Sequence, residues 1–139
     1  MATIKAYTDL EQSKKLAEIL PLESADMCYK CFGEETYDLT FCVVSYSEWA
    51  KEYKELYDKA GIQVIPCWGL SALISIIPQE IFDGEYIINI TEGRDNRWAL
   101  TYDHYENRKH SYYSLSIGAD NLVDACYETI NKLHKLKML

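Results

Sequence analysis

Tyr86-Ile87-Ile88-Asn89-Ile90-Thr91 and, after a break around Gly93, Arg97-Trp98-Ala99-Leu100-Thr101-Tyr102-Asp103-His104-Tyr105 decide the fold of this chain. Both runs are rich in β-branched and aromatic residues, and both are followed by turn-forming residues. With a third run near 108–117 they predict three antiparallel strands, at about 85–91, 97–105 and 108–117. A strand shifted by one residue turns every side chain to the other face, so the apolar pattern selects the register. With a two-residue turn at Glu106-Asn107, Trp98 lies opposite Leu115, Leu100 opposite Tyr113 and Tyr102 opposite Ser111. A slip of one sets Leu100 against Ser114 and Trp98 against Ser116, which is worse. With a loop at 92–96, Ile90 meets Trp98, Ile88 meets Leu100 and Tyr86 meets Tyr102. Both hairpins agree on one apolar face.

The other face is then polar. It carries Asn89, Arg97, Ala99, Thr101, Asp103, His110, Tyr112, Ser114 and Ser116, with Asp103 directly opposite His110. Two readings of it stand. It is the solvent-facing side of an antiparallel sheet, or a shallow ligand platform in which Asn89, Arg97, Thr101, Asp103, His110 and Tyr112 supply the polar contacts.

C-terminal to the strands, Asp120 or Asn121 caps a helix over about 120–136, striped by Leu122, Cys126, Ile130 and Leu133. On the N-terminal side, Trp68 to Ile77 has few charges on any face and reads as a largely buried helix ended by Pro78, preceded by a short extended piece. Before it, Ser47 caps a helix whose stripe is Trp49, Tyr53, Leu56, Tyr57 and Ala60, closed by Gly61. Residues 27–32 and 37–44 read as strands about a Gly33-Glu34-Glu35 turn, with Leu39, Phe41 and Val43 facing the core. The Thr8-x-x-Glu11 pattern is a capping box that starts a first helix near residue 9, and Pro21 stops it. The order is α-β-β-α-α-β-β-β-α. The fold class is α+β, an antiparallel sheet of about five strands with helices packed on one face, in a single domain over 1–139.

Composition narrows the function. Of 139 residues, 48% are hydrophobic and 26% charged, which is globular. Fourteen Lys and Arg against 22 Asp and Glu give a net charge of -8, which excludes a general nucleic-acid binder. The acidity is concentrated: residues 21–60 carry nine acids and four bases, and 61–100 carry five and two. Such a surface suits solubility or a basic partner. Five cysteines, an odd number, and an N-terminus without an apolar run after a charged start predict reduced thiols, a cytoplasmic setting, no secretory signal and no membrane association. Tyrosine is abundant, twelve against three phenylalanines, and tyrosine is favoured at interfaces. Tyr105, Tyr112 and Tyr127 are the ones expected to be partly exposed.

Catalytic patterns are incomplete. Cys28-Tyr29-Lys30-Cys31 is a single CxxC in a predicted strand, where residues three apart face opposite ways, so no metal site is expected. His104 and His110 fall on opposite faces. Asp103 beside His110 is the better pair, since a carboxylate fixes an imidazole tautomer, but no nucleophile is placed beside it. Gly69-Leu70-Ser71-Ala72-Leu73 lacks the second glycine of a nucleophile elbow. No phosphate loop is present, and the N-terminus of the helix opening at Cys67–Trp68 is only generically suited to anions. Lys132, Lys135, Lys137 and His134 offset the dipole of the last helix. No cofactor is expected.

Three stretches carry a resemblance: Ala6-Tyr7-Thr8-Asp9-Leu10-Glu11-Gln12-Ser13-Lys14-Lys15-Leu16-Ala17, Pro66-Cys67-Trp68-Gly69-Leu70-Ser71-Ala72-Leu73 and Ala119-Asp120-Asn121-Leu122-Val123-Asp124-Ala125-Cys126. They resemble a family of small uncharacterised proteins of gut bacteria and their phages. The resemblance covers the first, central and last helices and is weak over 28–60. It implies a bacterial cytosolic setting and assigns no catalytic residues. The expected function is a non-catalytic binding protein, an accessory factor that engages a host protein or sequesters a small ligand. The alternatives are a small hydrolytic enzyme using Asp103 and His110, and an oligomer-forming structural protein such as a homodimer.

Overall fold

The computed structural model describes residues 5–32, 37–41, 46–82, 84–93, 97–104 and 113–139. They form an α+β structure with two antiparallel sheets in place of the single five-stranded sheet expected. The chain divides into two compact units, Ala6–Ala72 and Leu73–Leu139, the latter joined by Lys5.

In the N-terminal unit, helix α1 (Leu10–Ile19) is followed by a 3₁₀ turn at Leu22–Ser24, strands β1 (Met27–Cys31) and β2 (Tyr37–Phe41), helix α2 (Tyr46–Lys59) and strand β3 (Gln63–Cys67). The strand order is β2-β1-β3. Strand β3 is the extended piece before the central helix. Pro66 makes it a poor strand candidate by sequence, because proline cannot donate to a ladder. It is tolerated here because β3 lies at the edge of its sheet. Tyr29 pairs with both Leu39 and Ile65, and Met27 with Cys67, so Met27, Tyr29, Ile65 and Cys67 form one core, backed by Leu10, Cys31 and Leu39. Leu39 thus takes its expected place. Val43 and the Gly33–Glu35 turn lie outside the described residues.

The first helix is capped one residue later than its sequence suggests. Asp9, not Thr8, is the N-cap: its carboxylate accepts from Gln12 N–H (2.8 Å), and the Gln12 side chain accepts from Asp9 N–H (3.1 Å). Thr8 is withdrawn from capping because its hydroxyl is fully buried.

Helix α3 (Leu70–Ile76) runs from one unit into the other. It is not buried all round, as its apolar sequence suggests. Leu73 is fully buried, but Ser71, Ile74 and Ser75 are exposed. The C-terminal unit continues with strands β4 (Glu80–Ile81), β5 (Tyr86–Glu92), β6 (Trp98–His104) and β7 (Tyr113–Ala119), in that order across the sheet, and helix α4 (Leu122–Lys135). Asn121 caps α4, accepting from Asp124 N–H at 2.8 Å. The buried stripe of α4 includes Cys126, Ile130 and Leu133 as expected, while Leu122 is half-buried and Val123 takes the inner position. That stripe lies over β6 and β7, above Leu100 and Tyr102, both buried.

Both hairpin registers differ from expectation by an even number of residues. Ile90 pairs with Leu100 and Ile88 with Tyr102, a shift of two. Trp98 pairs with Ala119, Leu100 with Ile117 and Tyr102 with Leu115, a shift of four. Even shifts leave each side chain on its own face, so the apolar and polar faces survive while the partners change. A bulge between Tyr102 and Asp103 then places Asp103 opposite Tyr113. Asp103 is therefore not the cross-strand partner of His110.

Candidate functional site

Three regions hold the chemistry-bearing residues. The first is a buried polar knot in the N-terminal unit. The Thr8 hydroxyl lies 2.8 Å from the Ser13 hydroxyl and 3.5 Å from Cys67 Sγ, and accepts from Trp68 N–H at 3.2 Å. Tyr29 donates its phenol to the Thr8 carbonyl at 2.7 Å, and Cys67 Sγ donates to the same carbonyl at 3.4 Å. The Trp68 indole N–H donates to Ser24 at 2.9 Å, and Gly69 N–H donates to Asp26 at 2.7 Å. Every polar group named here is satisfied. A Cβ on Gly69 would stand 3.0 Å from the Asp26 carboxylate, which would have to shift to admit it. Burial pushes the Cys67 thiol up, and Asp26 adds to this, against hydrogen bonds from Thr8, Ser13 and Tyr29 that act the other way. A thiol held protonated is a poor nucleophile. This region ties α1 to β1 and β3 and leaves no group open to a ligand. Cys28 is buried and Cys31 half-buried in the same strand, and Cys28, Cys31, Cys67 and Cys126 are all free thiols. Among the described residues no group of three His, Cys, Asp or Glu is placed to hold a metal ion.

The second region is the polar face of the C-terminal sheet. Thr101 pairs with Asn89 on one side and Ser116 on the other, and the Asn89 side-chain amide donates to the Asp103 carboxylate. Asn89, Thr101 and Asp103 thus come together. The second Asp103 oxygen is buried and has no hydrogen-bond partner among the described residues. Arg97 does not join them: it precedes β6, six residues from Asp103 or about 20 Å of extended chain, with its Nε 3.9 Å from Asp120. His110 and Tyr112 lie outside the described residues, as does Tyr105, while Tyr127 is half-buried.

The third region was not singled out by the sequence. At the outer edge of β5, a cleft of about 330 Å³ is lined by Ile74 and Ile77 at the end of α3, Gln79, and Ile87, Ile88 and Ile90 of β5. Ile74, Ile87 and Ile90 remain 41%, 37% and 38% exposed. Three exposed isoleucines around one cleft form an apolar patch of the kind that marks a binding surface. The concentration of isoleucine in Ile74-Ser75-Ile76-Ile77 and Ile87-Ile88-Asn89-Ile90 was the available signal. It points to a site only once α3 is known to show a side to solvent.

Among the described residues, no helix is long and apolar enough to cross a membrane. No protein-family model, curated protein or solved structure matches the chain.

Proposed function

We propose that this chain is a non-catalytic binding protein whose receptive surface is the isoleucine cleft between α3 and β5, and that it takes an apolar side chain of a partner protein. The cleft carries the reading. Its volume is at the lower end for ligand sites, and its lining is apolar with Gln79 as the one polar contributor among the described residues. Among the described residues no acid, base or nucleophile lines it. The resemblance of the three helices supports a bacterial or phage cytosolic setting, in which the partner is a host protein.

The test is a titration of methyl-labelled protein with n-butylbenzene. The δ1 methyls of Ile74, Ile77, Ile87, Ile88 and Ile90 are expected to shift together and saturate. Ile74→Lys, at an exposed position, is expected to abolish the shifts without unfolding the chain. Unmoved methyls, or shifts that persist in Ile74→Lys, contradict the reading. A second reading is favoured by the unpartnered Asp103 oxygen: a small hydrogen-bond donor seated at Asn89, Thr101 and Asp103. In that case a ligand that raises the melting temperature loses its effect in Asp103→Asn.

A further inference from the structure

Strand β5 has seven residues, but its outer neighbour β4 has two, pairing Glu80 with Ile87 and Ile81 with Tyr86. Ile88 N–H donates outward, to the Gln79 carbonyl at 2.9 Å. On the other side Gly93 N–H donates to the Arg97 carbonyl at 2.6 Å, continuing the ladder with β6. In an antiparallel sheet the N–H and C=O of one residue point to the same side, and the side alternates along the strand. Asn89 and Thr91 therefore bond toward β6, while Ile90 and Glu92 turn their N–H and C=O groups outward, beyond the end of β4. No strand pairs with them among the described residues. Ile90 also lines the apolar cleft, and the Glu92 side chain follows it on the same face of the strand.

We propose that the outer edge of β5 from Ile90 to Glu92 receives an extended, basic and apolar segment of another protein by strand addition, a step that rests on the cleft being the receptive surface. Three observations select this occupant. The open row of donors and acceptors at Ile90 and Glu92 is met by a backbone in the extended conformation, which a compact small molecule does not supply. Alternate side chains of an added strand point to the cleft face, where branched apolar residues meet Ile74 and Ile90. The described charged side chains of β4, β5 and their turn are all acids, Glu80, Glu85 and Glu92, and all are exposed. Lysine or arginine across from Glu92 is then favoured. A second copy of this chain would bring the same net charge of -8 and the same carboxylates to the edge. Open edges are commonly protected by lysine or proline against uncontrolled pairing; this one carries Ile90 and Glu92.

A display library of random linear nine-residue peptides, selected against the whole chain, tests the proposal. Enriched peptides are expected to alternate branched apolar residues with Lys or Arg and to shift the amide resonances of Ile90 and Glu92. Ile90→Pro removes an outward N–H that has no partner among the described residues and should weaken such a peptide on the order of tenfold or more. Ile90→Lys should do the same, and methylation of alternate peptide nitrogens should mimic the loss from the peptide's side. Glu92→Lys should selectively weaken the basic peptides. The proposal is overturned by a selection that enriches nothing, by peptides that bind Ile90→Pro as well as the parent, or by a dimer that Ile90→Pro dissociates. If n-butylbenzene fills the cleft while no peptide is selected, the cleft reading stands and strand addition falls.

Discussion

The Thr8–Trp68 knot and the β5 edge put the same groups, backbone amides and carbonyls beside apolar side chains, to opposite uses. At the knot, the outward-pointing groups of one segment meet those of another. Thr8 and Trp68 exchange contacts through N–H, C=O and hydroxyl (Thr8 N–H to Trp68 C=O is 3.0 Å), and the residues around them are fully buried. At β5, the row of groups runs past a two-residue strand and stops facing outward, beside isoleucines that remain more than a third exposed. A buried polar group without a partner costs about 1–3 kcal/mol, so the satisfied knot is a structural tie, whereas the open row beside the apolar cleft is where we propose that a partner strand is received.

The largest effect that sharpens this contrast is at Trp68, which is fully buried and bonded to Ser24. Trp68→Ala is expected to cost about 3–5 kcal/mol in urea unfolding, whereas Ile74→Ala, at an exposed position, should cost well under half of that. Next comes alkaline pH, which separates the core of the C-terminal unit from its edge. Burial pushes the Tyr102 phenol up to about 12 and the Cys126 thiol up to about 11. Both groups hold their protons more tightly folded than unfolded. Their contribution is therefore complete below about pH 9 and is lost as pH rises from the unfolded values through the folded ones. A drop on the order of 4 kcal/mol between pH 9 and 12 is expected by denaturant titration, with its lower part removed in Cys126→Ala. A stability that is level across this range contradicts the burial of both groups.

Thr8→Val keeps the shape of the side chain but removes the oxygen that serves Ser13, Cys67 and Trp68 N–H. It should cost about 1–3 kcal/mol, and a neutral result would show that the knot is not a tie. The smallest effect is predicted at the edge itself. Ile90→Pro should change unfolding stability by less than about 1 kcal/mol, because the lost N–H points outward. A loss as large as that of Thr8→Val would show that this N–H is already bonded within the chain.

The faces of the C-terminal sheet were legible in the sequence because alternation has period two. Leu100 and Tyr102 are buried, and Asn89, Thr101 and Asp103 share the other face, although the hairpins slipped by two and four residues. Pairing partners were not legible, since they depend on loop lengths that alternation does not encode. That is why Asp103 lies opposite Tyr113, while His110 falls outside the described residues. Capping chemistry located the first helix to within a residue. The choice between Thr8 and Asp9 turned on which hydroxyl or carboxylate the tertiary structure buries. The cleft and the edge were hidden for two reasons. A helix without charges such as α3 marks its solvent side only by Ser71 and Ser75, and a strand of two residues such as β4 is too short to leave a pattern.

Native-state amide hydrogen exchange along β5, read residue by residue by NMR on the isolated chain, tests the central claim most directly. The open edge predicts an alternation: slow exchange at Asn89 and Thr91, which bond to β6, and fast exchange at Ile90 and Glu92, which point outward. Uniform protection from Asn89 to Glu92 in a monomer would mean that the edge is already covered, and would contradict the account.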